Sequence, residues 1–406
     1  MRQDPDRLSF EIIAREGDAR AGILHTGHGD VATPAFVPLA TKGVVKSLAA
    51  HEVAELGFDL VLGNTYHLML SPGDERIAKL GGLHDFMGWE GAIVTDSGGF
   101  QVFSLAHGNV ADEIKGRRGR QVGKADVLEV GEEGVRFRSY IDGGEHMLSP
   151  ERSMEVQAGL GSDMALTLDE CTPFRADRDY TARSTERTHR WLDRCLEWHE
   201  HHGPRRQAVF GIVQGGVYED QRRESAEYTA DKQVDGLAIG GSLGRDKEEM
   251  MGVVAMTLPF LPREAPKHLL GIGEPDDLLA GIEAGIDVFD CSVPTRLARH
   301  GMALAPLPDR RYRYNVRRSA HALDERPLVE GCPCSTCRRQ TRAYVHYLSK
   351  SEELTGVRLL TVHNLSFIRS VMVGARASIQ SGSFGDYRKA LLAGAAPWEL
   401  SSSSPE

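Results

Sequence analysis

The chain has 406 residues, 41% hydrophobic and 26% charged, with 48 Lys and Arg against 58 Asp and Glu for a formal net charge of −10. That balance fits a globular protein with a sizeable core and excludes fibrous, low-complexity and largely disordered classes. No apolar run approaches the roughly 20 residues of a membrane helix. The start, Met1-Arg2-Gln3-Asp4-Pro5, has no apolar signal core, and Cys171, Cys195 and Cys291 are scattered unlike a secreted disulfide framework, so a reducing cytoplasm is expected.

Short apolar runs recur along the chain, each ending in polar residues or glycine before a helix-like stretch. The first four are Ala35-Phe36-Val37-Pro38-Leu39, Leu60-Val61-Leu62-Gly63-Asn64, Ala92-Ile93-Val94-Thr95-Asp96 and Ala165-Leu166-Thr167-Leu168-Asp169. Four more follow: Val209 to Gln214, Leu237 to Gly241, Leu269 to Gly273 and Ile286 to Asp290. Continuous rather than alternating hydrophobicity marks strands buried on both faces. Eight of them interleaved with helices predict an α/β fold of the (β/α)8 TIM barrel type, with a doubly wound open sheet as the competing architecture. A barrel brings its strand ends to one mouth, which would gather Asn64, Asp96, Asp169, Gln214, Gly241, Gly271 and Asp290.

Two segments break the rhythm. Residues 106–134, which include Arg117-Arg118-Gly119-Arg120, are charged and Gly-rich and read as a mobile excursion between the third and fourth strands. Residues 306–364 form an expected zinc-binding subdomain inserted near the C-terminal end, after a barrel spanning 1–305. Within it, an amphipathic helix should run from Cys337 through Leu354 and break at Thr355-Gly356. A short strand-like run then ends at Val362-His363. Residues 365–400 are expected to form a helical segment completing the barrel, and 401–406 a frayed tail.

The zinc expectation rests on Cys332-Pro333-Cys334-Ser335-Thr336-Cys337, three thiols within six residues. A turn carrying three cysteines supplies three tetrahedral corners, and His321, His346 or His363 offers the fourth; such a saturated site is structural rather than catalytic. Around it the charge inverts. From Arg296 to Lys350 there are 12 Lys or Arg against 4 acids, a basic region on an acidic protein that suits a polyanion.

Three aspartates, Asp96, Asp169 and Asp290, end predicted strands. One carboxylate can attack a sugar anomeric carbon while a second works as acid and base, or the pair can hold Mg²⁺. Paired glycines at Gly98-Gly99, Gly215-Gly216 and Gly240-Gly241 would let backbone amides approach a flat ligand, and the Gln214 amide can pair with a base edge in both directions. No phosphate-loop lysine or dinucleotide fingerprint is present.

Longer motifs carry a resemblance. Gly63-Asn64-Thr65-Tyr66-His67-Leu68, Thr95-Asp96-Ser97-Gly98-Gly99-Phe100-Gln101-Val102, His146-Met147-Leu148-Ser149-Pro150-Glu151-Arg152 and Asp169-Glu170-Cys171-Thr172-Pro173 occur in order. They are followed by Gly211-Ile212-Val213-Gln214-Gly215-Gly216, Phe289-Asp290-Cys291 with Pro294-Thr295-Arg296, and the cysteine cluster with His363-Asn364-Leu365. Together they resemble the bacterial tRNA-guanine transglycosylase family over nearly the whole chain. The resemblance implies a (β/α)8 barrel with a structural zinc ion held by Cys332, Cys334, Cys337 and His363. It implies a cytoplasmic, homodimeric pentosyltransferase of queuosine biosynthesis. Such an enzyme replaces guanine at the wobble position of target tRNA anticodons by 7-aminomethyl-7-deazaguanine or queuine, through ping-pong kinetics and a glycosyl-aspartate.

Carried over residue by residue, Asp290 matches the nucleophile and Asp96 the general acid/base. Asp169, Gln214, Gly240, Gly241, Leu270 and Gly271 match base-binding groups, Phe100 the stacking aromatic, and Arg296 and Arg299 the tRNA contacts. The chain departs from the bacterial pattern at Gly240-Gly241-Ser242-Leu243-Gly244-Arg245-Asp246, where Gly244 replaces a bulkier residue, leaving the choice of incoming base open. A non-catalytic tRNA-binding subunit of the same family and a metal-dependent barrel hydrolase are the alternatives.

Overall fold

Residues Ser9–Glu16 (β1), Ala19–Thr26 (β2) and Gly29–Thr33 (β3) pair as an antiparallel sheet in sequence order. In the computed structural model, which describes residues 7–106, 127–172, 176–241, 244 and 246–401, this sheet leads directly into a parallel barrel. Its segments are Ala35–Val37 (β4), Leu39–Ala40 (β5), Leu60–Gly63 (β6) and Ala92–Thr95 (β7). A side sheet follows, made of Val127–Gly131 (β8), Gly134–Arg138 (β9) and Glu145–Leu148 (β10). The barrel resumes with Met164–Leu166 (β11), Ala208–Val213 (β12), Gly236–Ile239 (β13), Lys267–Leu269 (β14) and Val288–Asp290 (β15). A last antiparallel pair is formed by Met302–Leu304 (β16) and Arg313–Asn315 (β17).

Closure depends on Pro38. β4 pairs with β15 while β5 pairs with β6, so the two are halves of one stave, divided where proline has no amide to give. The Pro38 carbonyl still accepts from the Leu62 amide at 3.0 Å. The nine parallel segments therefore make eight staves, as the count of apolar runs predicts.

Alternate residues along each stave enter different cores. Leu60, Leu62, Val94, Phe210, Ile212 and Ala238 fill the interior together with Leu24 and Val31 of the antiparallel sheet. Val61, Ile93, Leu237, Ile239 and Phe289 point outward and pack with helical residues such as Val253 and Leu278. The antiparallel sheet closes the end at which the staves begin. His28, in the β2–β3 turn, places Nδ1 2.7 Å from Asp163 Oδ1 just before β11, and buried Arg20 donates Nε to Asp287 just before β15 at 2.7 Å. The opposite end, where the strands finish, is left for a site.

The structure differs from expectation in three places. Residues Leu354–Ser381 form one 28-residue helix with no break at Thr355-Gly356, so His363 sits inside a helix rather than at the end of a strand. The reason is packing: a Cβ on Gly356 would lie 3.0 Å from Leu348 Cβ, so the glycine admits close approach of the Arg342–Lys350 helix and does not break its own. The single helix expected from Cys337 to Leu354 is instead Ser335–Arg339 followed by Arg342–Lys350, the second capped by Thr341, whose Oγ1 accepts from the Tyr344 amide at 3.2 Å. Part of the expected excursion is ordered sheet: β8 pairs with β9, while residues 107–126 lie outside the described residues. The expected tail at 402–406 also lies outside them. Among the described residues no helix is long and apolar enough to cross a membrane.

Candidate active site and metal centre

The last residue of β15 is Asp290, 7% exposed. One oxygen, Oδ1, accepts from His268 Nε2 at 3.0 Å and from the Gly271 amide at 3.1 Å. His268 is the central residue of β14, opposite Val288 of β15. Side chains two apart on a strand share a face, so Val288 and Asp290 turn to the same side and His268 lies below the carboxylate.

Asp96 follows β7 directly. Its Oδ1 accepts from the Thr65 amide at 2.9 Å, and Oδ2 accepts from Gln101 Nε2 at 3.2 Å and from Asn64 Nδ2. Asn64 serves twice, because its Oδ1 also caps the Thr65–Leu70 helix by accepting from the His67 amide at 2.9 Å. Burial raises the Asp96 carboxyl to about 7, the charge of Asp290 pushing the same way against the hydrogen bonds that favour the anion. A carboxyl poised there is able both to give and to take a proton at neutral pH.

Asp169 lies three residues past β11. It accepts from Ser97 Oγ at 3.0 Å and from Gln214 Nε2 at 2.5 Å, and burial raises its carboxyl to about 6. Gln214 closes β12, and its Oε1 is buried with no hydrogen-bond partner among the described residues. That orphan acceptor beside a carboxylate offers a ligand one acceptor and one switchable group, the pattern a purine edge with adjacent N–H donors would satisfy. Opposite it, Gly241 adopts φ +82°, and a Cβ there would lie 2.2 Å from Gln214 Oε1, so only glycine lets the backbone come this near.

The structure thus gathers Asp96, Asp169, Gln214, Gly240, Gly241, Leu270, Gly271 and Asp290 around the strand ends. Phe100, on the helix Gly99–Ala106 that follows Asp96, is 38% exposed and keeps an accessible ring. Arg296 is half-buried and Arg299 exposed on the helix Val293–Arg299, directly after Asp290; neither forms an ion pair among the described residues. Of the divergent loop, Ser242, Leu243 and Arg245 lie outside the described residues. Cys171 is no nucleophile, since burial pushes its thiol well above the usual range.

Sequence reasoning missed two groups. Arg222, fully buried in the charged stretch Glu219–Asp231, donates to the carbonyls of Gly216 at 2.7 Å, Val213 at 3.1 Å and Gly240 at 3.0 Å. It ties the turn after β12 to the one after β13. His268 left no signal, because β14 is Lys267–Leu269 and begins two residues before the apolar run Leu269 to Gly273 that marked the strand in the sequence.

Cys332, Cys334, Cys337 and His363 are all buried, with their ligand atoms within 4.8 Å of one another. His363 Nδ1 lies 3.6, 3.6 and 3.3 Å from the three sulfurs. Tetrahedral zinc with bonds of about 2.3 Å to sulfur and 2.05 Å to nitrogen requires an S···N edge of about 3.6 Å, so the donor set fits. His363 Nε2 donates to the Leu304 carbonyl at 2.7 Å, which leaves Nδ1 as the lone pair turned to the thiols. The next residue, Asn364, accepts from the Leu304 amide at 2.8 Å and donates to the carbonyls of Pro294 and Met302, each at 3.0 Å. One helix therefore carries a metal ligand and, one residue on, the clamp on the segment that leaves Asp290.

Comparison with known proteins adds to this geometry. The family model described as Queuine tRNA-ribosyltransferase matches residues 15–396. A queuine tRNA-ribosyltransferase of Roseiflexus sp. (strain RS-1) is 51% identical over 393 residues, covering 94% of this chain and 98% of the relative. Relatives of the same name from Pelotomaculum thermopropionicum and Symbiobacterium thermophilum are 46% and 44% identical, each covering 95% of this chain, and 98% and 91% of their own lengths.

Proposed function

The chain belongs to the queuine tRNA-ribosyltransferase family, and from that premise we propose that it exchanges guanine at the wobble position of tRNA anticodons for a 7-deazaguanine base. The observation that carries the reading is the coupling of two differently held carboxylates at one barrel mouth. Asp290 is pinned through one oxygen, and Asp96 is raised to about 7 in part by its charge.

Asp290 attacks the ribose C1′, and the bond to guanine breaks as the base takes up a proton from Asp96. The glycosyl ester keeps the RNA backbone intact until the new base arrives. That base loses a proton to Asp96, bonds to C1′ and releases the carboxylate. Asp169, Gln214, the Gly240-Gly241 backbone and the Leu270-Gly271 turn bind the base, Phe100 stacks on it, and Arg296 and Arg299 contact the tRNA. The nucleotide must be unstacked from the anticodon loop to reach them. Zinc, when bound, supplies a structural crosslink between the cysteine turn and the Leu354–Ser381 helix.

Pure protein incubated with unmodified tRNA and labelled guanine, without added divalent metal, should incorporate the label. Asp290→Asn should abolish the tRNA adduct that survives denaturation; an adduct persisting in that variant refutes the assignment. A metal-dependent hydrolase would need open lone pairs on Asp96, and three N–H groups already take all but one of that carboxylate's four. A non-catalytic subunit has no need of three aspartates kept together. Repeating the exchange with 7-aminomethyl-7-deazaguanine and with queuine identifies the incoming base, and sedimentation tests the homodimer.

A further inference from the structure

Asp290 is held asymmetrically. Oδ1 takes both hydrogen bonds, from His268 Nε2 at 3.0 Å and the Gly271 amide at 3.1 Å, whereas Oδ2 has none among the described residues. His268 is 1% exposed and sits between Ala238 and Val288 on the neighbouring strands. The small Ala238 leaves room for the imidazole beside it. Toward a carboxylate a ring nitrogen can only donate, so Nε2 carries the hydrogen.

We propose that His268 is a positioning residue for the nucleophile: with the Gly271 amide it fixes Oδ1, assigns the bond-forming role to Oδ2, and stabilises Asp290 as the carboxylate that departs in the second half-reaction. This rests on the function proposed above. In the first half, Oδ2 bonds to C1′ as the C1′–guanine bond breaks and guanine leaves with a proton from Asp96; Oδ1 becomes the ester carbonyl and keeps both donors. In the second half the incoming base gives up a proton to Asp96, bonds to C1′, and the Oδ2–C1′ electron pair returns to the carboxylate. Charge reappears there, and donors already in place lower the barrier to it. A carboxylate lacking one donor is more basic and leaves more slowly, so the second half suffers more than the first.

The experiment compares His268→Leu, which removes the donor, with His268→Gln, whose amide Nε2 restores one. Each is measured for kcat and KM in guanine exchange, for tRNA affinity, and for the fraction of enzyme trapped as tRNA adduct at steady state. His268→Leu should lose about 10–100-fold in kcat with KM for tRNA within about twofold of wild type, and should hold a larger fraction as adduct. His268→Gln should recover most of the loss. Unchanged kcat in His268→Leu, or a glutamine variant as slow as the leucine variant while both bind tRNA normally, overturns the proposal. Absence of any adduct in the wild-type protein is a different failure, that of the nucleophilic assignment itself.

Discussion

Asp96→Asn separates what this carboxylate does for chemistry from what it costs the fold. Burial, reinforced by the charge of Asp290, raises Asp96 from 3.8 to about 7. Between those values the folded protein holds a proton that the unfolded chain has released. Wild-type stability contributed by this group is therefore full below about 4, falls as pH rises through the window, and is lost above about 7. At about 1.36 kcal/mol per unit the loss by pH 8 is on the order of 4 kcal/mol, an upper bound because Asp96 keeps partial contact with water at the mouth.

Asparagine is neutral throughout but keeps a single acceptor oxygen for the three N–H groups of Asn64, Thr65 and Gln101, and a lost bond returns about 1 kcal/mol. The variant should thus exceed wild type by roughly 2–3 kcal/mol at pH 8 and lie within about 1 kcal/mol of it at pH 4. Urea denaturation followed by tryptophan fluorescence at pH 4, 6 and 8 measures the difference, and guanine exchange should be lost at every pH. A difference that stays constant with pH, or a variant less stable at pH 8, refutes the idea that Asp96 is held under electrostatic strain.

Removing zinc with a chelator, or replacing Cys337 by Ser, should take metal content from about one per chain to none and lower thermal stability and tRNA affinity together; lost turnover with fold and tRNA affinity intact contradicts a structural site. Asn364→Leu strands the Leu304 amide and two carbonyls and should cost at least about 3 kcal/mol in urea denaturation; a midpoint equal to wild type counts against the clamp. Arg222→Met frees the turn carrying Gly240 and should raise KM for guanine about tenfold, near 1.4 kcal/mol, leaving KM for tRNA unchanged; equal effects on both would mean that Arg222 holds the whole mouth rather than the base site.

Strands buried on both faces leave continuous apolar runs, so the eight staves were legible without any tertiary contact; that they close into a barrel rather than an open sheet was decided by the pairing of β15 with β4. The sequence by itself also determined the cysteine turn, since three ligands within six residues are a local matter. Strand-end polar residues were legible for the same reason: the barrel sends every such end to one mouth. Other features depend on contacts between different elements. Gly356 reads as a helix breaker and is a contact point for Leu348. Arg222 lies in the charged stretch Glu219–Asp231 and is buried under three carbonyls. His363 was singled out among three histidines only by resemblance, whereas in the fold its Nε2 bond to Leu304 turns Nδ1 to the thiols. The raised carboxyl of Asp96 and the one-sided grip on Asp290 likewise come from tertiary structure alone, because burial and the direction of a hydrogen bond exist only once β7, β14 and β15 end at the same mouth of one barrel.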